Sequence, residues 1–217
     1  MGSITRSFAN NITTSGVLLP ASLTNNSIAN VTAYNASVAT GGMKLISSQT
    51  ASNSASISFT TGIDSTYKEY QFWFVDIHPR TDAVNFTFNL STDSGSNYNV
   101  TKTTTYFYAY HTEADTSTGL GYETSGDLAQ STAFQLLAGN VGSDADQSVG
   151  GTLQLFNPSS TTYVKHFISN TNYSWQGDAS ENDFVAGYGN TTSAVNAVQF
   201  KMASGNFDGT ILMYGIV

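Results

Sequence analysis

Side chains able to carry out reactions are few in this sequence, and their spacing assembles no reaction centre. Of the three histidines, His78 precedes a turn proline, while His111 and His166 alternate within strand-like stretches. Neither His-x-His nor His-Glu-x-x-His occurs, so no zinc-binding pattern forms, and all three read as structural or exposed. The fifteen carboxylates begin only at Asp64. Asp144 with Asp146, and Asp178 with Glu181 and Asp183, offer the hard oxygens that calcium takes. Neither set follows an EF-hand loop, and solvated loop charge is the plainer reading. Paired carboxylates hydrolyse glycosides when held at a set separation, but nothing in the spacing singles out such a pair. Gly-x-Ser-x-Gly is absent. With no cysteine, thiol nucleophiles, thiolate metal sites and disulfides are excluded. The expectation is a non-enzyme with no catalytic, cofactor-binding or metal-binding residue.

Carbohydrate contact is the stronger candidate. Tyr173, Trp175 and Tyr188 lie near predicted loops, where flat aromatic faces can stack on sugar rings. Packing competes with that role, since most of twelve tyrosines in a low-charge β protein serve the core or subunit contacts.

The elements that must position these residues read as strands. Lys68–Leu90 is the most informative stretch. Tyr70 to Ile77 is almost wholly aromatic or aliphatic, which predicts burial on both faces. Val84, Phe86, Phe88 and Leu90 then alternate with Asn85, Thr87 and Asn89, the period of a half-buried antiparallel strand. Pro79 presets a turn between them, so the two runs are expected to form a hairpin on which the core is built. Lys44–Thr50, Ser54–Thr60, Thr105–Thr112, Asp183–Gly189, Val195–Met202 and Thr210–Ile216 are further predicted strands. In Thr105–Thr112, Tyr106, Tyr108 and Tyr110 share one face and Phe107, Ala109 and His111 the other. Gly151–Phe156 and Thr162–Ser169 form a second expected hairpin around Asn157-Pro158-Ser159-Ser160. Asp93–Asn97, Gly205-Asn206 and Asp208-Gly209 carry turn chemistry. Residues 113–127 and Gly139–Gly150 read as polar loops, and Gln130–Leu137 is ambiguous between strand and helical turn. The last strand is apolar enough to require cover on its edges. Eight to ten strands predict an all-β, antiparallel two-sheet sandwich of jelly-roll type over residues 43–217.

Residues 1–42 differ in kind. Ser, Thr, Asn and Ala dominate, Arg6 is the only charge, and Phe8 and Tyr34 are the only aromatics. A segment so poor in bulky residues cannot offset its own ordering entropy, so it is expected to be an extended N-terminal arm that docks on another surface. Across the whole chain only 10% of residues are charged, against roughly 25% in ordinary soluble domains. The seven basic residues form no stripe able to neutralise a phosphate backbone, which argues against nucleic acid as a partner. No apolar run approaches the roughly 20 residues of a membrane span, and no signal-peptide pattern opens the chain.

Several stretches together resemble structural proteins of tailed bacteriophages, especially marine ones. They include Arg6-Ser-Phe-Ala-Asn-Asn-Ile-Thr-Thr-Ser-Gly16 and Asn25-Asn-Ser-Ile-Ala-Asn-Val-Thr32 in the leader. In the body they include Lys68-Glu-Tyr70, Asp76-Ile-His-Pro79, Ser94-Gly-Ser-Asn-Tyr-Asn-Val-Thr101, Phe156-Asn-Pro-Ser-Ser-Thr-Thr162, Val164-Lys-His-Phe-Ile168, Ala186-Gly-Tyr-Gly-Asn190 and Gly209-Thr-Ile-Leu-Met-Tyr-Gly-Ile216. The resemblance implies a virion protein assembled in the host cytoplasm, a tail fibre or tail appendage anchored by its arm, with capsid decoration or a head fibre as the alternative. It also implies a homotrimer whose partners are its own copies, other virion proteins and a host-surface glycan. A lectin-like carbohydrate-binding module is the alternative of another class. No site residues come with the resemblance.

Overall fold

The computed structural model describes residues 42–217. The arm expected over residues 1–42 lies, apart from Gly42, outside the described residues. Twelve strands and no helix occupy the described part. In chain order these are β1 (Met43–Ser54), β2 (Ile57–Phe59), β3 (Glu69–Pro79) and β4 (Val84–Ser91). β5 (Lys102–Thr112), β6 (Thr118–Tyr122), β7 (Gln135–Val141) and β8 (Val149–Phe156) follow. β9 (Lys165–Trp175), β10 (Ala179–Gly189), β11 (Ala197–Met202) and β12 (Phe207–Ile216) complete the set. All pairings are antiparallel, as the alternating pattern predicts.

Hydrogen bonding runs in the order β1-β12-β3-β8-β9-β7-β4-β11-β2, and β9 also pairs with β10, β10 with β5, and β5 with β6. β7 meets β9 through a single residue pair, Val141 with Trp175. The sheet thus curls into a nearly closed, barrel-like wall with its apolar side inward. Phenylalanines fill the centre. Phe200 on β11 lies 5.3 Å from Phe72 and from Phe74 on β3, and 6.1–6.3 Å from Phe86, Phe88 and Phe59. Phe74 and Phe86 meet edge to face at 5.1 Å, a preferred geometry for aromatic pairs. The apolar last strand is interior, as expected, with β1 on one side and β3 on the other.

The expected hairpin between β3 and β4 does not exist. β3 pairs with β12 and β8, whereas β4 pairs with β11 and β7. The turn after Pro79 instead carries the chain across the core, so that the apolar sides of the two strands face each other. Local turn chemistry specifies a reversal of direction; it does not specify which edge the returning strand joins. Nor is Tyr70–Ile77 buried on both faces. Tyr70, Phe72 and Phe74 point inward, while Trp73 and Val75 are about two-fifths exposed. A bulge between Phe74 and Ile77 then resets the phase and turns Ile77 inward. Asp76 adopts φ 51° there, and Gly209 answers it from β12. A Cβ on Gly209 would fall 2.5 Å from the Asp76 carbonyl oxygen. Asp208-Gly209 is therefore part of a strand opposite a bulge, and only Gly205-Asn206 serves the turn before β12. The polar stretch 113–127 contains β6, the ambiguous Gln130–Leu137 resolves into a loop followed by β7, and the predicted loop Gly139–Gly150 shortens to residues 142–148. The β8–β9 hairpin forms as predicted.

Phe200→Ala should cost about 3–5 kcal/mol of stability in chemical denaturation with little change in far-ultraviolet circular dichroism. A loss under about 1 kcal/mol would show that this ring is not the centre of the core.

Candidate functional site

Strand register builds one concave face. On β5, Tyr110 lies opposite Gly119 of β6 and opposite Glu181 of β10, which in turn faces Tyr173 of β9. One step along, Tyr108 lies opposite Gly121 and Asp183. Thr112, Ala179 and Trp175 form the next row outward. Because strand side chains alternate, all of these share the inner side of the wall. Of these, Tyr108, Tyr110, Thr112, Trp175, Ala179 and Glu181, with Tyr106, Glu123 and Ser125 beside them and Asn85, Leu136, Gly139 and Asn140 from β4 and β7, line a cleft of about 520 Å³, within the usual range of small-ligand sites.

Glycines let the aromatic rings lie flat in this cleft. A Cβ on Gly119 would sit 2.6 Å from the Tyr110 ring, and one on Gly121 would sit 3.1 Å from that of Tyr108. The two rings are consequently laid down side by side, with centroids 6.2 Å apart and planes 29° from parallel. The Tyr110 hydroxyl is held by the Ser117 hydroxyl at 3.0 Å. Gly177, in the β9–β10 turn, does the same for Trp175, whose indole comes within 1.8 Å of the place a Cβ would take. All three rings are half-buried. Each offers part of a flat face to whatever fills the cleft.

Polar groups surround the rings. Glu123 accepts hydrogen bonds from the Ser125 hydroxyl at 2.6 Å and the Ser125 amide at 2.9 Å, which hold its carboxyl below the ordinary range. Burial raises the Glu181 carboxyl, and the charge of Glu123 adds to that shift. Asn140 donates its amide N–H to the Asn85 side-chain oxygen at 2.9 Å, tying the two together on the far wall. Beneath the tyrosines lies Asp183, fully buried. Tyr106 donates its hydroxyl to Asp183 Oδ2, while Oδ1 has no hydrogen-bond partner among the described residues. Burial pushes the Asp183 carboxyl up to about 7. It also raises the hydroxyls of Tyr106 and Tyr173. The Tyr173 oxygen accepts the Gly139 N–H at 3.0 Å. Flat apolar faces beside carboxylates and amides suit a ligand that is apolar on its faces and hydroxylated at its edges.

The residues singled out from sequence separate. Trp175 is in the cleft, Tyr173 is buried below it, and Tyr188 sits on the outer side of the wall beside His166, 5.9 Å between centroids. Glu181 lines the cleft, Asp183 is committed to Tyr106, and Asp178 occupies the β9–β10 turn. Asp144 and Asp146 lie in the loop before β8. Among the described residues no three histidines or carboxylates converge on a common point. His78 bonds the Gln147 carbonyl at 2.7 Å, and His111 meets Asp115 at 2.9 Å on the surface. Lys102 and Lys165 are buried, their ammonium groups donating to backbone carbonyls, and Arg80 pairs with Asp208 at 2.7 Å. Sequence reasoning missed Tyr108, Tyr110, Glu123, Asn85 and Asn140 as site residues. The available signal was Gly119-Leu-Gly121 beside a Tyr-x-Tyr strand, a pairing of glycines with rings that only register reveals. Compared with family models, curated proteins and solved structures, the chain finds no match in any of the three.

Asp183 makes a pH test. Its pKa is raised on folding, so its contribution is fully present below about pH 4 and is lost as pH rises through about 7. Asp183→Asn keeps an acceptor for Tyr106 and cannot ionise. Relative to wild type it should gain stability between these limits, by as much as about 4 kcal/mol at pH 8. Urea titrations at several pH values will show this, and a difference that does not vary with pH would contradict it.

Proposed function

We propose that this chain binds carbohydrate through the cleft, as the β domain of a tail fibre or tail appendage of a tailed bacteriophage. The observation that carries the binding reading is the set of three aromatic rings seated flat on glycines, next to ionised and neutral oxygen acceptors. Sugar rings present C–H faces that pack on aromatic planes and hydroxyls that need hydrogen-bond partners. Stacking supplies area and the polar groups supply selectivity. In this reading the Glu123 and Glu181 carboxylates act as hydrogen-bond acceptors for sugar hydroxyls.

The phage setting draws support from the sequence stretches quoted above and from a jelly-roll reading of the strand order. Setting aside β5, β6, β9 and β10 leaves eight strands. Among these the first pairs with the last, the second with the seventh, the third with the sixth and the fourth with the fifth. That nesting is what a long hairpin rolled into two four-stranded layers produces, a design common among viral and lectin domains. Contacts between copies, as in a trimer, fall to the outer side of the wall. There Phe107 and Phe184 stack at 4.9 Å, with Leu120, Tyr122 and Ile168 exposed nearby.

On immobilised host-surface glycans the full chain should bind a subset. Tyr110→Ala and Trp175→Ala should each weaken that binding about tenfold, the equivalent of 1.4 kcal/mol, without lowering the melting temperature by more than a few degrees. Undiminished binding by both variants would remove the cleft from consideration. Gold-labelled antibody against the chain should decorate purified phage particles at the tail. Label on the capsid would favour the decoration alternative, and unlabelled particles would end the virion reading.

A further inference from the structure

The cleft continues past its far wall, and this inference rests on the carbohydrate reading above. A second hollow of about 390 Å³ shares Asn85, Ser125 and Leu136 with the first. The two therefore adjoin and make one groove. The second hollow lies over the outward side of β4 and β11, under the segment that follows β6, and is lined by Phe134 and Lys201. The Lys201 ammonium sits 4.4 Å from the centre of the Phe134 ring, which fixes a positive charge against a flat apolar face.

The two ends differ in charge. Glu123 and Glu181 line the first hollow, which has no lysine or arginine in its wall, while Lys201 is the charged residue of the second. An acidic sugar over the tyrosines would meet like charge in a partly desolvated site, where repulsion is strong. The same sugar one step along would meet Lys201. Each hollow is large enough for a sugar unit, and the shared residues Asn85, Ser125 and Leu136 set the two side by side.

We propose that the groove binds an oligosaccharide of at least two units, with an uncharged sugar over Tyr108 and Tyr110 and a carboxylate-bearing sugar at Phe134 and Lys201. The ligand class is a heteropolymer with neutral and acidic residues in alternation. Homopolymers of either kind satisfy only one end.

The test uses the full chain on an array of defined oligosaccharides, one to six units long, in neutral, alternating neutral–uronic and all-uronic series. Alternating oligomers should bind at least tenfold tighter than their monosaccharides and than all-uronic chains. Lys201→Ala should remove the preference of alternating over neutral oligomers, read as the ratio of the two affinities. Phe134→Ala should weaken oligomers and spare neutral monosaccharides. Equal affinity for monosaccharides and oligomers, or an unchanged preference in Lys201→Ala, overturns the two-ended groove while the cleft itself stands. Binding of no array member by the wild-type chain overturns the carbohydrate reading and this inference together.

Discussion

Burial of facing phenylalanines is the constraint on which the remainder of the structure depends. Phe59, Phe72, Phe74, Phe86, Phe88 and Phe200 come from the consecutive strands β2, β3 and β4 and from β11 far along the chain, and each is at most 3% exposed. Bringing them together requires β3 and β4 to face each other across the core, which is why the turn at Pro79 does not close a hairpin. Beside them β12, which adds the buried Ile211 and Met213, lies between β1 and β3. Burying a phenylalanine is worth about 1.5–3 kcal/mol, more than the difference among the surface turns that connect these strands. The interior therefore decides which edges meet, and the turns accommodate it.

With the core held elsewhere, β5, β6, β9 and β10 are free to carry different chemistry. Their inner side begins as core, with Tyr106, Phe167 and Val185 buried, and changes along the strands into the cleft. The change is gradual and is marked by Asp183, a carboxyl placed where the apolar packing ends. Its hydrogen bond from Tyr106 partly offsets the cost of burial, and its high pKa follows from the rest of that cost. Glu181, two residues before it on the same side, is closer to solvent and lines the cleft. One alternation of a single strand thus passes from a buried carboxyl to one that lines the cleft, and the strand geometry sets the spacing between them.

Much of the wall was legible from period-two alternation, since Tyr106, Tyr108 and Tyr110 were assigned one side and Phe107, Ala109 and His111 the other, as found. What alternation cannot state is partnership. Gly119 and Gly121 look like loop residues in a polar stretch, and they become ring supports only once β6 lies beside β5. The bulge at Asp76 was hidden for a related reason. Trp73 and Val75 are apolar but outward-facing, so hydrophobicity alone read the strand as buried twice over. Lys102 and Lys165 were counted as charges, yet both are buried with their ammonium groups on backbone oxygens. Residue type gives the group, and only tertiary register gives its environment.

The same register explains why the inner side, and not the outer, suits a small hydroxylated ligand of the kind proposed. The Phe107–Phe184 stack is as flat as anything in the cleft, with 8° between planes. But the rings there are stacked on each other and occupy one another's faces, and the neighbouring exposed side chains are Leu120, Tyr122 and Ile168. Such a surface lowers its free energy by excluding water over a broad area, the behaviour of a contact between large bodies. In the cleft the rings lie against glycine and line the hollow, and acceptors stand within the same hollow. A sugar needs both at once, and among the described residues tyrosine on β5 lying across from glycine on β6 and glutamate on β10 brings the two together.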